Sequence, residues 1–233
     1  MGLLTYWGPI VVVGVAAVAA GWLAYRYPRW RWRWVGFGLA VVLVASEASW
    51  WIKLFTTRPF HAGTDLPLEL CDLTAWVAAA GLIWRREILQ HLTYFWGVGG
   101  GIPALFLPVL GAPFPSWFYF EFYLAHGSLV VAGVLTIVAF GVRIRRGTMV
   151  RAIVVTGAVA LVIGVLDIAV GGDYLYLIAL PPVVGGLQAL SSWPLYRPAF
   201  VAVAILVMLM LGWIARDRPR PEMARATAPT EAG

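Results

Sequence analysis

Long apolar stretches separated by short polar breaks organise this chain. They run from about Gly8 to Tyr25, Trp34 to Phe55, Leu66 to Trp84, Gln90 to Val109, Trp117 to Val142, Val150 to Val170 and Pro198 to Ala215. A helix needs roughly 17–25 apolar residues to cross a bilayer, so the pattern predicts an all-α, polytopic membrane protein built as a seven-transmembrane-helix bundle. The fourth stretch is the weakest helix, because Gly99, Gly100, Gly101 and Pro103 loosen or break it unless neighbours satisfy the freed backbone groups. After Arg216 the apolar periodicity stops and Pro, Ala, Thr and charge take over. The expected organisation is therefore a transmembrane domain over 1–216 and a disordered cytoplasmic tail over 217–233.

Composition sharpens this. With 61% hydrophobic residues, 12% charged and a mean hydropathy of +0.83, the chain lies far from a soluble domain. A soluble enzyme, a collagen-like rod and a disordered chain are all excluded. The net charge of +6 is explained by the positive-inside rule. If the N-terminus is outside, one face collects Arg26, Arg29, Arg31, Arg33, Arg85, Arg86, Arg143, Arg145, Arg146, Arg151, Arg216, Arg218, Arg220 and Arg225. The other face has only Lys53, Arg58 and Arg197. That asymmetry predicts an outside N-terminus, a cytoplasmic C-terminus and a multi-pass plasma-membrane location. The first stretch lacks a basic leader and a cleavage pattern, so it reads as a retained span. Trp30, Trp32, Trp34, Trp84 and Trp213 fall near the predicted inner ends, and Trp7, Trp50, Trp51, Trp117 and Trp193 near the outer ones, as interfacial rings do. No basic stripe with base-stacking aromatics suggests nucleic acid.

Charge within the spans carries the functional signal, since an ionisable side chain in hydrocarbon is costly. The residues in question are Glu47, Glu69, Asp72, Glu121, His126 and Asp167, with Cys71 among them. At about 1.5 Å per residue, Cys71 lies roughly 8 Å from its outer helix end, Glu47 about 12 Å and His126 about 13 Å. All of them fall in the outer half, which points to a polar cavity open to the outer leaflet. The densest run is Leu66-Pro-Leu-Glu-Leu-Cys-Asp-Leu73, in which Glu69 and Asp72 share a helical face and Cys71 turns about 100° from Asp72. A thiol flanked by acids needs a base, and His126 is the histidine well inside a span. His61 falls in an outer loop and His91 near the inner side. The histidines sit on separate elements without a helical pair, so no metal site is expected, and no phosphate loop or Gly-x-Ser-x-Gly elbow suggests a cofactor or a serine nucleophile.

The run around Cys71, together with Tyr94-Phe-Trp-Gly97, Phe120-Glu-Phe-Tyr-Leu-Ala-His126, Tyr174-Leu-Tyr-Leu177 with Pro181-Pro182, and Ser192-Trp-Pro-Leu-Tyr196, resembles the YwaF-like bacterial integral membrane proteins. The likeness extends over roughly Glu47 to Trp213. Those proteins in turn resemble the vertebrate transmembrane protein 164 family, described as cysteine-dependent phospholipid acyltransferases. The resemblance implies a nucleophile at Cys71 and a base at His126, with Glu121 and Tyr123 in the aromatic approach. It departs at position 69, where the bacterial relatives often carry histidine and this chain has Glu69. The expected function is a lipid acyltransferase or hydrolase acting on phospholipid or lysophospholipid. Asp72, Glu121 or Glu47 would orient His126, and Tyr123 or Tyr174 would steady the oxyanion. An alternative reading of the same residues is a small transporter or substrate-binding module with a proton-coupling carboxylate and histidine cluster.

Overall fold

The computed structural model describes residues 2–27, 29–180, 189–190 and 192–216. The expected tail over 217–233 and the paired Pro181-Pro182 lie outside the described residues. Among those described, the chain forms α1 (Leu3–Arg26), α2 (Arg29–Thr57), α3 (Leu70–Trp84), α4 (Glu87–Phe106), α5 (Trp117–Val138), α6 (Arg146–Val170) and α7 (Tyr196–Ile214). There is no strand among them, only an isolated bridge between Ile144 and Arg216.

Five helices, α1, α2, α5, α6 and α7, are long and apolar enough to cross a membrane. The other two depart from that pattern for a physical reason. Helix α3 has 15 residues, about 22 Å, because Leu66 to Glu69, expected to be helical, remain outside it. Helix α4 carries Gln90, His91 and Thr93, and all three are buried. It can hold them because protein, rather than lipid, surrounds it: α3, α5, α6 and α7 all pack on α4. The contrast with α1 is large, since none of its most apolar window is buried, against 56% of that of α5. Lipid solvates α1, while α4 and α5 form the centre.

Two interhelical hydrogen bonds fasten α4 to its far neighbours. Trp96 Nε1 donates to Thr156 Oγ1 on α6 at 2.9 Å, and the Tyr94 hydroxyl donates to the Leu211 carbonyl on α7 at 2.9 Å. On the other side α1 is tied by Tyr6, whose hydroxyl donates to the Phe106 carbonyl, and by a bond from the Tyr119 hydroxyl to the Thr5 carbonyl. Such bonds contribute about 0.6 kcal/mol each where lipid offers no hydrophobic drive between helices.

Helix α4 stays continuous through Gly99 to Gly101 and Pro103, with the Leu107 N–H closing on the Pro103 carbonyl at 2.9 Å. Its glycines serve close approach. A Cβ at Gly97 would stand 2.6 Å from the Leu129 carbonyl oxygen of α5, so no side chain fits between the two backbones. Gly97→Val should therefore force α4 and α5 apart and cost about 1–3 kcal/mol or more. Gly38→Ala, at a position with open space, should be nearly neutral. Thermal unfolding in detergent checks the pair; equal melting temperatures would contradict the packing.

Candidate functional site

The beginning of α3 is set by a loop. Tyr174, just after α6, donates its hydroxyl to the Ala62 carbonyl at 2.6 Å and accepts the Leu66 N–H at 2.8 Å. Asp167, near the end of α6, accepts the Tyr174 N–H at 3.3 Å. Within the loop, Asp65 receives Arg58 at 2.9 Å, the His61 N–H at 2.7 Å and the Thr64 hydroxyl at 2.8 Å. These bonds hold residues 61–66 against the α6 terminus, and α3 starts only after them. Asp167 and Tyr174, expected to line a cavity with Cys71, are thus engaged in anchoring this loop rather than turned toward the thiol.

Glu69 is the extended N-cap of α3, its carbonyl accepting the Leu73 N–H at 3.1 Å. Asp72 lies in the first turn, where an acid complements the positive end of the helix. Between them, the Cys71 thiol is shared by Glu69 Oε2 at 3.5 Å and Asp72 Oδ1 at 3.6 Å. Cys71 is partly buried and packs on the small-residue seam of α2, α3 and α5, beside Ala40, Leu43, Ala75 and Leu129.

Helices α2 and α5 add to this cluster. Glu47 lies in the field of Glu69, Asp72 and Cys71, and Glu121 in that of Glu47 and Asp72. Lys53 faces Glu121 across the same two helices. Because α2 continues from Glu47 to Thr57, about 15 Å further, the first turn of α3 sits well below the end of its neighbour. Glu121 is buried, and Glu47, Glu69, Asp72 and the thiol are partly buried among the helices, which limits their exposure to hydrocarbon.

His126 is held differently from the expectation that a carboxylate orients it. Its Nδ1 bonds the Phe122 carbonyl one turn earlier at 2.8 Å, and its ring stacks on Phe122 with centroids 4.1 Å apart. A carbonyl accepts only, so Nδ1 carries the proton, and the lone pair of the neutral ring is on Nε2. Nε2 has no hydrogen-bond partner among the described residues. No hydrogen bond joins His126 to Cys71 there either. The link between them is the glycine run of α4: a Cβ at Gly100 would meet Leu70, next to Cys71, at 3.2 Å, and one at Gly101 would meet the His126 carbonyl at 3.4 Å.

Tyr123 is buried on the face of α5 that packs on α1, with an unpaired hydroxyl among Leu105, Tyr119 and Val130. Tyr176 instead lies within electrostatic reach of Glu69, Cys71, Asp173 and Asp72. It adopts a left-handed backbone, φ 54°, unusual for a bulky residue. Sequence reasoning passed over it, although it lies in the Tyr174-Leu-Tyr-Leu177 run.

This arrangement of a partly buried, acid-flanked cysteine, a histidine stacked on Phe122 and a Gly-rich central helix runs through most of the chain, and the TMEM164 family matches residues 3–212. The chain belongs to the TMEM164 family. Neither a curated protein nor a solved structure matches it. For a TMEM164 family member, the matched residues thus run from the start of α1 into the last turn of α7, and the multi-pass membrane character indicated by five apolar helices agrees with the family.

The loop that sets α3 titrates. Burial alone would push the Asp65 carboxyl up, but the His61 N–H, Arg58 and Thr64 outweigh it and hold it below the ordinary carboxylate range. Its contribution to stability is then present above about pH 4 and lost as the pH falls through the depressed value. Asp65→Asn should lower the melting temperature by a few degrees at pH 7 and converge with the parent at the acid end. A gap that widens toward low pH would contradict the assignment.

Proposed function

We propose that this TMEM164 family member is an integral membrane lipid acyltransferase or hydrolase with Cys71 as nucleophile. The observation that carries the reading is the thiol hydrogen-bonded between Glu69 and Asp72 inside the helix bundle. The five ordered motifs support a YwaF-like assignment within the family. The proposal includes seven crossings, with α3 and α4 enclosed by the others, an outside N-terminus and a cytoplasmic C-terminus in the plasma membrane. The basic residues at one end of the bundle support that orientation.

In this mechanism the thiol proton passes to Glu69, which already accepts its hydrogen bond, as sulfur attacks a phospholipid ester carbonyl. The Tyr176 hydroxyl steadies the oxyanion. The ester C–O bond breaks, the lysolipid oxygen takes the proton from Glu69, and an acyl thioester remains on Cys71. In the second half a lysolipid hydroxyl or water attacks the thioester. His126 Nε2 takes its proton, the thiolate leaves, and the proton returns to sulfur.

Turnover of a labelled phospholipid in reconstituted vesicles tests the scheme. Cys71→Ala should lower it by ~10³-fold or more, and Glu69→Gln by about 10²-fold through a slow first half. His126→Ala should also stop turnover but still acylate the cysteine. Full activity in the Cys71 variant would overturn the nucleophile, and no acylation in the His126 variant would move that histidine to the first half.

A further inference from the structure

Lys53 is the chain's single lysine; the other 16 of its 17 basic residues are arginines. It lies in the last turns of α2, at the end of the bundle that holds the acids. Its ammonium is 3.9 Å from the centre of the Phe118 ring and 4.8 Å from that of Trp50, and it donates to the Gly111 carbonyl at 3.2 Å. No carboxylate lies within ion-pair distance of it among the described residues, whereas Arg58 is paired with Asp65. Beside it a shallow, open and mostly apolar cleft of about 400 Å³ runs between α2 and α5, its lining including Ser49, Ile52, Lys53, Thr56, Trp117 and Phe118.

The lining suits one chemistry. Ser49 and Thr56 donate their hydroxyl hydrogens to backbone carbonyls one turn earlier, so Lys53 provides the positive charge. The first turn of α5 forms the opposite wall and adds the positive end of its dipole, its Tyr119 N–H being capped by the Ser116 hydroxyl oxygen at 3.2 Å. The cleft mouth is apolar: Ile52 is 65% exposed and Trp117 is 58% exposed, and both lie at the level where interfacial tryptophans flank a bilayer. A soluble anion would gain nothing from those walls, while a lipid phosphate places its charge on Lys53 and its glycerol and chains along them.

We infer that this cleft is a binding site for the phosphate group of a bilayer phospholipid, seated on Lys53 between α2 and α5. The site rests on the geometry of the cleft and holds whichever step Cys71 performs. It borders the acid cluster through Glu121, which shares the field of Lys53 on one side and of Asp72 on the other.

Because the lysine is unique, ¹⁵Nζ labelling reports this position alone. Labelled full-length protein in galactosyl-diacylglycerol vesicles is given one equivalent of phosphatidylglycerol, and ³¹P–¹⁵N dipolar dephasing is measured. Dephasing at hydrogen-bond range is expected at that single equivalent, and none when inorganic phosphate replaces the lipid. Ser49→Phe, which fills the cleft, should abolish the dephasing while the ring-current shift of the ammonium persists, showing that Lys53 is still seated on Trp50 and Phe118. If that shift is lost, Thr56→Phe makes the same comparison from the next turn. Absence of dephasing with one equivalent of lipid overturns the site, as does equal dephasing with inorganic phosphate or with the cleft filled. Phospholipid turnover in Lys53→Met is read separately, so loss of the phosphate contact and loss of thiol chemistry remain distinguishable.

Discussion

Where Gly97 meets the Leu129 carbonyl, α4 and α5 come so close that nothing larger than hydrogen fits, and much of the bundle follows from that contact. Helix α4 is too polar to face lipid, with Gln90, His91 and Thr93 buried along it. It is stable in the centre because α5 closes on its glycine face and α3, α6 and α7 cover the rest. Trp96 and Tyr94 then reach outward to α6 and α7. The same glycines leave room for Leu70 on one side and the His126 carbonyl on the other, which sets the two chemically reactive helices against a common wall.

The shortness of α3 has a matching consequence. Tyr174 and Asp65 fix the preceding loop outside the helix, so the N-terminus of α3 begins below the end of α2. A buried helix N-terminus needs acceptors for its free N–H groups. Asp72 complements the positive end in the first turn, and Glu69 and Asp72 together hold the thiol. The same turn that begins the helix thereby brings a thiol between two carboxylates. Structure and chemistry share the same residues here, and for that reason the acids alone would not identify a reaction.

The elements were legible in the apolar pattern, since bilayer thickness imposes a length that sequence displays directly. Boundaries shifted where tertiary bonds intervene: Leu66 to Glu69 looked helical but are drawn off by Tyr174 and the α6 terminus. The glycine run of α4 looked like a break because a single strand of sequence does not show that α5 will pack against it. Among site residues, Cys71, Glu69, Asp72, Glu47 and Glu121 do converge. Depth alone could not separate them from Asp167, which lies at a similar level but serves a loop. Periodicity likewise gave no sign that Tyr123 faces α1 while Tyr176 shares the field of the acids and the thiol. Lys53 carried a signal that went unused: a lone lysine in an arginine-rich chain, next to Trp50 and Trp51.

The central claim is that an enclosed thiol between two carboxylates forms a covalent bond to an acyl chain. Peptide-resolved mass spectrometry of the unmutated protein, isolated from membranes with its lipid, tests it most directly. A hydroxylamine-labile fatty-acyl mass is expected on the peptide that contains Cys71. An unmodified Cys71 in a preparation that is turning over phospholipid would contradict it.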